Sequence, residues 1–313
     1  MRRVVGAIGR TFITVGVLIL LFVAYQLWGT GLYTAREQDA LEQQFQSALA
    51  REGQDAPTTS SSTTTTTIPG SPPSSTTTST TEPPPPLPPE GEAVARIQIP
   101  KIGVDSIIVN GVTRDDLRKG PGHYPDTPLP GQKGNSAIAG HRTTYAAPFA
   151  DLDQLAEGDL IQIRTLQGNF KYRVRDQLIV NPTDVGVIDP TPVDPNDPRE
   201  GFLATLTLTT CNPKYSAAQR LVIQADLDPS ETALAAPKLV QNAQLTEEGL
   251  SGEEGSKLPT IIASLIAALI GALWWLAFHR HPRWTTWIIG AIPFAVALFF
   301  FYSYLERVLP ANY

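Results

Sequence analysis

Among 313 residues there is one cysteine, Cys211. A single thiol cannot close an intramolecular disulfide, which excludes a disulfide-stapled scaffold and leaves chemistry as the leading reason to keep an exposed thiol outside the cell. Imidazole is scarce too: there are four histidines, and His279 and His281 fall in a short basic turn between two apolar runs. Charge of one sign is also missing. The formal net charge is −6, and basic and acidic residues nearly balance between Ala93 and Asp228, so no basic field exists to hold nucleic acid. Asp184, Asp189, Asp194 and Asp197 crowd the stretch Pro182 to Glu200. They lack EF-hand spacing and stand before prolines or at turn starts, so they read as loop chemistry. No metal and no cofactor is expected.

Apolar residues are concentrated in three runs, Phe12 to Trp28, Leu258 to Phe278 and Trp284 to Tyr304. Each approximates the ~20 residues that cross a bilayer as helix. No small-residue cleavage site follows the first run, where Ala24-Tyr25-Gln26-Leu27-Trp28 is bulky, so it reads as an uncleaved anchor. Arg2, Arg3 and Arg10 precede it without an acidic residue, which places the N-terminus in the cytoplasm. His279-Arg280-His281-Pro282-Arg283 is basic, as a cytoplasmic turn should be, and Trp274, Trp275, Trp284 and Trp287 flank it like an interfacial belt.

The organisation predicted is a cytoplasmic end (1–11), an anchor (12–28), a juxtamembrane helix (29–56), a linker (57–90), a catalytic domain (91–228) and a second linker (229–257). Two further spans (258–278 and 284–304) follow, joined by the cytoplasmic turn (279–283), and a tail (305–313) ends the chain. In the juxtamembrane segment Leu41, Phe45, Ala48 and Leu49 recur at helical spacing, which suits an amphipathic helix on the membrane surface or a solvated stalk. From Pro57 to Pro89 nearly every residue is Ser, Thr or Pro. Such a stretch cannot bury a core; its polyproline end is expected to be stiff and to hold the following domain tens of ångströms off the membrane.

Between about Ala93 and Asp228 the pattern is β-rich. Ile97 and Ile99 alternate, Phe170, Tyr172 and Val174 alternate with Lys171, Arg173 and Arg175, and helical signals are short. This predicts a mainly β domain, a barrel or a sandwich. In the run Leu203 to Cys211, alternation sets Leu206 and Leu208 on one face and Thr205, Thr207, Thr209 and Cys211 on the other. If that strand pairs with the next, Cys211 at the end of one and Arg220 at the start of the other converge. A guanidinium beside a thiol lowers its pKa and donates to a developing oxyanion. A cysteine nucleophile also needs an acid and base. Topology leaves His123, in a turn-rich loop where a surface histidine is unremarkable, and His141, after the small residues Asn135 to Gly140. Spacing alone does not choose between them.

The combination Ala139-Gly140-His141-Arg142, Thr207-Leu208-Thr209-Thr210-Cys211 and a downstream Arg220 resembles the sortase family, membrane-anchored cysteine transpeptidases of Gram-positive bacteria, over about Ala93 to Leu227. Gly140-His141-Arg142-Thr143-Thr144-Tyr145 and Cys211-Asn212-Pro213 are similar to the class E enzymes of actinobacteria. The resemblance implies an eight-stranded β-barrel with short helices and, with the anchors, three transmembrane helices. It implies that Cys211 attacks the Thr–Gly carbonyl of a C-terminal LAxTG- or LPxTG-like sorting signal, that His141 protonates the departing amine and that Arg220 holds substrate and oxyanion. Thr210 and Tyr124 are the expected substrate-binding residues. The partners implied are secreted proteins bearing the signal, an amine of a peptidoglycan precursor and the membrane, with surface proteins anchored to the wall. Two C-terminal spans depart from the simplest members, and the Asp-Pro-aromatic lid of pilin-polymerising members is absent before Ala93. A pilin polymerase, a hydrolase and a non-catalytic stalked wall-binding domain are the alternatives.

Overall fold

The computed structural model describes residues 2–55, 88–190, 204–234, 257–278 and 284–306. Most of the Ser/Thr/Pro linker, Asp194 and Asp197, most of the second linker, the basic turn and most of the C-terminal tail lie outside the described residues.

The alternating segments form strands β1 (Ala93–Ile99), β2 (Val104–Asn110), β3 (Gly122–His123), β4 (Gly134–Ala139), β5 (Leu160–Thr165), β6 (Gly168–Val180), β7 (Ala204–Asn212) and β8 (Gln219–Leu227). They close a barrel in the order β1-β2-β3-β4-β7-β8-β6-β5, so the sandwich alternative does not hold. Two contacts are parallel, β2 with β3 and β4 with β7; the rest are antiparallel. Period-two alternation turns Ile97, Ile99, Ile138, Phe170, Tyr172 and Leu208 into one core. The Tyr172 hydroxyl, buried with them, accepts the Gly131 N–H at 2.6 Å.

His123 is wholly buried on β3, not on the surface as its loop-rich neighbourhood suggested. Its Nε2 bonds the Pro128 carbonyl at 3.0 Å, and Nδ1 lies 3.4 Å from Asn110 Oδ1. The imidazole ties a turn to the barrel.

The N-terminal segment runs as helix α1 (Arg2–Ala24), a π-helical turn at Tyr25–Gly29, and helix α2 (Thr30–Asp55). Helices α4 (Leu258–Phe278) and α5 (Trp284–Glu306) lie beyond the barrel, which also carries the one-turn helix α3 (Arg114–Leu117). Among the described residues one helix, Leu258–Ala277, is long and apolar enough to cross a membrane; the apolar parts Phe12–Ala24 and Ile289–Leu305 are shorter. Of the three spans expected, one therefore reaches full length by this measure. The first is shortened because the apolar part of α1 stops at the π turn. α1 and α5 nevertheless pack together: Tyr302 donates to the Leu18 carbonyl at 2.7 Å, and the Tyr25 hydroxyl meets Ser303 Oγ at 3.1 Å.

α2 corrects two expectations. Its apolar stripe does not lie on a membrane: Leu41 and Phe45 are buried against Ala93, Ile107 and Val109 of β1 and β2, with Leu49 alongside. Nor is the barrel hung from the linker. Gln38 sits where β2 lacks a ladder partner, accepting the Ile107 N–H at 2.7 Å and donating to the Ile107 and Lys119 carbonyls at 3.0 and 2.9 Å. Gln44 accepts the Ala93 N–H at 3.2 Å, and Glu42 pairs with Arg96 at 3.0 Å. A helix continuous with the N-terminal apolar run is thus docked directly on the barrel.

Two outcomes follow from this packing. Phe45→Ala removes the central side chain of the α2 seam and is expected to cost about 3 kcal/mol of docking. Hydrogen exchange should then rise across α2 while the β7 and β8 amides keep their protection. Burial holds the His123 pKa down to about 4, against 6.5 for the free imidazole. The unfolded chain therefore takes up the proton first as pH falls, and stability is lost between pH 6.5 and about 4, by up to roughly 3 kcal/mol. Thermal unfolding across that range should fall less steeply in His123→Gln than in the wild type.

Candidate active site

β7 and β8 form an antiparallel hairpin in which Cys211 is the register partner of Arg220. Directly opposed residues project to the same side of a sheet, so thiol and guanidinium are neighbours. On the other flank β4 runs parallel to β7, with Ala139 beside Thr209, and the Gly140 N–H extends the ladder to the Thr209 carbonyl at 3.1 Å. Two residues further along each chain stand His141 and Cys211. The structure thus gathers Cys211, His141 and Arg220 at one end of three adjacent strands.

Gly140 has a steric reason to be glycine. A Cβ there would lie 2.5 Å from the Phe149 ring, which closes the core under the loop carrying His141. The Phe149 N–H bonds the His141 carbonyl at 3.0 Å, and Thr144 Oγ1 lies 3.3 Å from His141 Nδ1. The Tyr145 ring packs on the imidazole at 4.9 Å between centroids.

The thiol is not exposed: Cys211 keeps 1% of its surface, His141 5% and Arg220 2%. Strand alternation does separate Cys211 from the Leu206 and Leu208 face, but its own face is covered as well. Burial pushes the thiol pKa up, against the pull of the Arg220 and Arg142 guanidiniums. Burial thus favours the neutral thiol at neutral pH, and a neutral thiol needs a base to become a nucleophile.

Arg142 stands in the sequence motif around His141, but no role for it follows from the sequence. It is buried, donates from Nη1 to the Cys211 carbonyl and to Asn212 Oδ1, both at 2.9 Å, and pairs with Asp153 at 3.1 Å. It fixes the backbone that carries Cys211. Its position next to His141, just past the end of β4, was the available signal. Arg220 uses Nη1 to hold the Ala217 and Gln219 carbonyls at 3.0 Å, which shapes the turn between β7 and β8.

The two expected substrate-binding residues fare differently. Thr210 alternates away from Cys211, and its buried hydroxyl donates to the Gly140 carbonyl at 2.7 Å, a tether between β7 and the His141 loop. Tyr124 lies on the Cys211 side of the wall, buried near Thr209 and Arg220; desolvation raises its pKa, opposed by the Thr209 hydrogen bond and the Arg220 charge. Among the described residues no group of three or more metal-ligating side chains occurs. Asp184 accepts the Asn181 N–H at 2.8 Å, as a turn residue does.

A sortase-domain family model matches residues 97–228. Sortase SrtE1 of Streptomyces coelicolor is 32% identical over 228 residues, which cover 69% of this chain and 55% of that protein. Sortase D of Bacillus subtilis is 33% identical over 126 residues, 40% of this chain and 58% of that protein. The chain spans little more than half the length of these two curated relatives. A solved structure of sortase E from Streptomyces avermitilis is 40% identical and aligns with 45% of this chain and 90% of its own, at a TM-score of 0.39. Cys211, His141 and Arg220 all fall inside the matched segment, and through residues 97–228 the chain belongs to the sortase family, whose members are cysteine transpeptidases.

Proposed function

We propose that this chain is a membrane-anchored transpeptidase that joins secreted proteins bearing an LAxTG- or LPxTG-like C-terminal signal to an amine of a cell-wall precursor. The observation that carries the reading is the register pairing of Cys211 with Arg220, beside a strand that ends in Gly140-His141. His141 takes the proton from the neutral thiol, and the thiolate attacks the Thr–Gly carbonyl. Arg220 donates to the oxyanion, and the tetrahedral adduct collapses as His141 hands its proton to the departing glycine amine. The thioester then accepts an incoming amine, whose proton passes to His141 and on to the released thiolate. Tyr124 contacts the Ala or Pro that follows Leu in the signal, and Thr210 acts by fixing the His141 loop.

The membrane arrangement belongs to the same proposal. α1, α4 and α5 are three spans, with the N-terminus and the basic turn on the cytoplasmic side and the barrel outside. The aromatic packing of α1 on α5, with Phe22 and Tyr302 centroids 5.2 Å apart, supports the N-terminal and C-terminal apolar helices lying in one layer.

The test uses the full chain in detergent or lipid discs, an LAxTG peptide and a small amine. Amine-transfer product is expected with the wild type and none with Cys211→Ala; transfer that persists in Cys211→Ala removes the mechanism, and cleavage without transfer turns the reading to a hydrolase. His141→Ala and Arg220→Ala are each expected to lower turnover at least about a hundredfold with the barrel intact. Because burial raises the thiol pKa, alkylation of Cys211 by iodoacetamide should keep accelerating as pH rises past the ordinary thiol value of 9.0. A plateau below neutrality would mean a preformed thiolate.

A further inference from the structure

Tyr145 occupies an improbable conformation. It and the two residues after it have positive φ, +52° at Tyr145, +58° at Ala146 and +45° at Ala147. A side chain in the left-handed region costs about 1 kcal/mol or more per residue, so three in succession persist only where surrounding contacts over-determine them. Some of those contacts are internal: the Ala147 N–H bonds the Thr144 carbonyl at 2.8 Å and the Ala150 N–H bonds the Ala147 carbonyl at 3.0 Å. Others come from distant parts of the chain.

The Tyr145 N–H donates to Thr30 Oγ1 at 3.2 Å, across 115 residues of sequence. Thr30 is the first residue of α2, and its hydroxyl is aimed by its own bond to the Gln26 carbonyl at 2.7 Å, inside the π turn. One turn on, the Tyr33 ring meets the Tyr145 ring edge-on at 6.4 Å, and the Arg118 guanidinium stands 5.0 Å from the Tyr33 centroid and 5.4 Å from that of Tyr145. Thr34 adds a 2.8 Å bond to the Arg118 carbonyl. Tyr145 in turn is the ring that packs on His141.

We propose that Tyr145 is a positioning residue for the His141 imidazole, and that the first turn of the juxtamembrane helix, through Thr30 and Tyr33, holds it in place. Its catalytic consequence rests on the transpeptidase reading. The membrane-proximal helix is thereby a working part of the active site. A backbone bond from Thr30 pins the left-handed loop, the Arg118 cation binds the two aromatic faces together, and the ring fixes the plane of the imidazole that moves the proton. Loss of the helix contacts leaves the peptide-binding wall at β4 and β7 in place, so turnover suffers and substrate affinity does not.

The experiment uses the full chain in lipid discs with four variants. Thr30→Val deletes the acceptor, whereas Thr30→Ser keeps it; Tyr33→Ala deletes the ring, whereas Tyr33→Phe keeps it. Expected are a drop in kcat of about tenfold for Thr30→Val and Tyr33→Ala with KM within about twofold, and recovery in Thr30→Ser and Tyr33→Phe. The pH profile of Cys211 alkylation, which needs no peptide, should shift in the two disruptive variants and not in the conservative pair. Unchanged kcat and an unchanged alkylation profile in both disruptive variants would overturn the proposal, as would a loss carried by KM. If Tyr33→Ala fails to fold, the Thr30 pair decides. A wild type that turns over no peptide removes the transpeptidase reading; a shifted alkylation profile then still supports the positioning role.

Discussion

The register of β7 against its two neighbours is the constraint on which the site depends. Side chains on a strand alternate with period two, so a slip of one residue would drive Cys211 into the core with Leu206 and Leu208 and turn Thr210 outward. The register is held on both flanks. Toward β8 the inward set is Leu206, Leu208, Leu221 and Ile223, and toward β4 the Thr210 hydroxyl and the Gly140 N–H bind across the strand end. The same apolar burial that closes the barrel therefore sets thiol and guanidinium side by side.

Burial has a second effect at this place. A thiol with 1% of its surface exposed is desolvated, and the two guanidiniums near it offset that penalty without removing it. Arg142 also serves the backbone, since its bonds to the Cys211 carbonyl and Asn212 tie the end of β7 in place. The surroundings of Cys211 thus favour the neutral thiol and hold its backbone in place.

Much of this was legible in the sequence because it is local. Alternation in Leu203 to Cys211 and in the following strand was enough to separate the Cys211 face from the leucine face and to bring Arg220 across the hairpin. The burial of Cys211 is not readable locally: Arg142, which bonds its carbonyl, stands 69 residues away along the chain. The stripe Leu41, Phe45, Leu49 was correctly periodic, yet periodicity names an apolar face and not what covers it; the cover proved to be β1 and β2. Gln38 carried no pattern at all, and Tyr145 only a place in the run Gly140 to Tyr145, with no role attached. A glutamine completing a strand edge and a tyrosine held left-handed by a helix 115 residues away are properties of the folded chain. The histidines divided similarly: the small residues before His141 hinted at a close approach, whereas nothing around His123 announced that it lies inside the barrel.

The docking of α2 changes the meaning of the Ser/Thr/Pro segment that follows it. Leu49, near the end of α2, packs beside Ala93, and at the other side of the segment the Pro88 carbonyl accepts a bond from Asn110 on β2 at 2.6 Å. Both ends are fixed to the same body, so in polymer terms the connection is a closed loop and not a tether. The closure entropy of such a loop grows only as the logarithm of its length, about 0.6 kcal/mol for each doubling. A change of length between residues 56 and 87 is therefore expected to cost the barrel little, and the distance from the N-terminal apolar run to the thiol is set by a helix of fixed rise per residue.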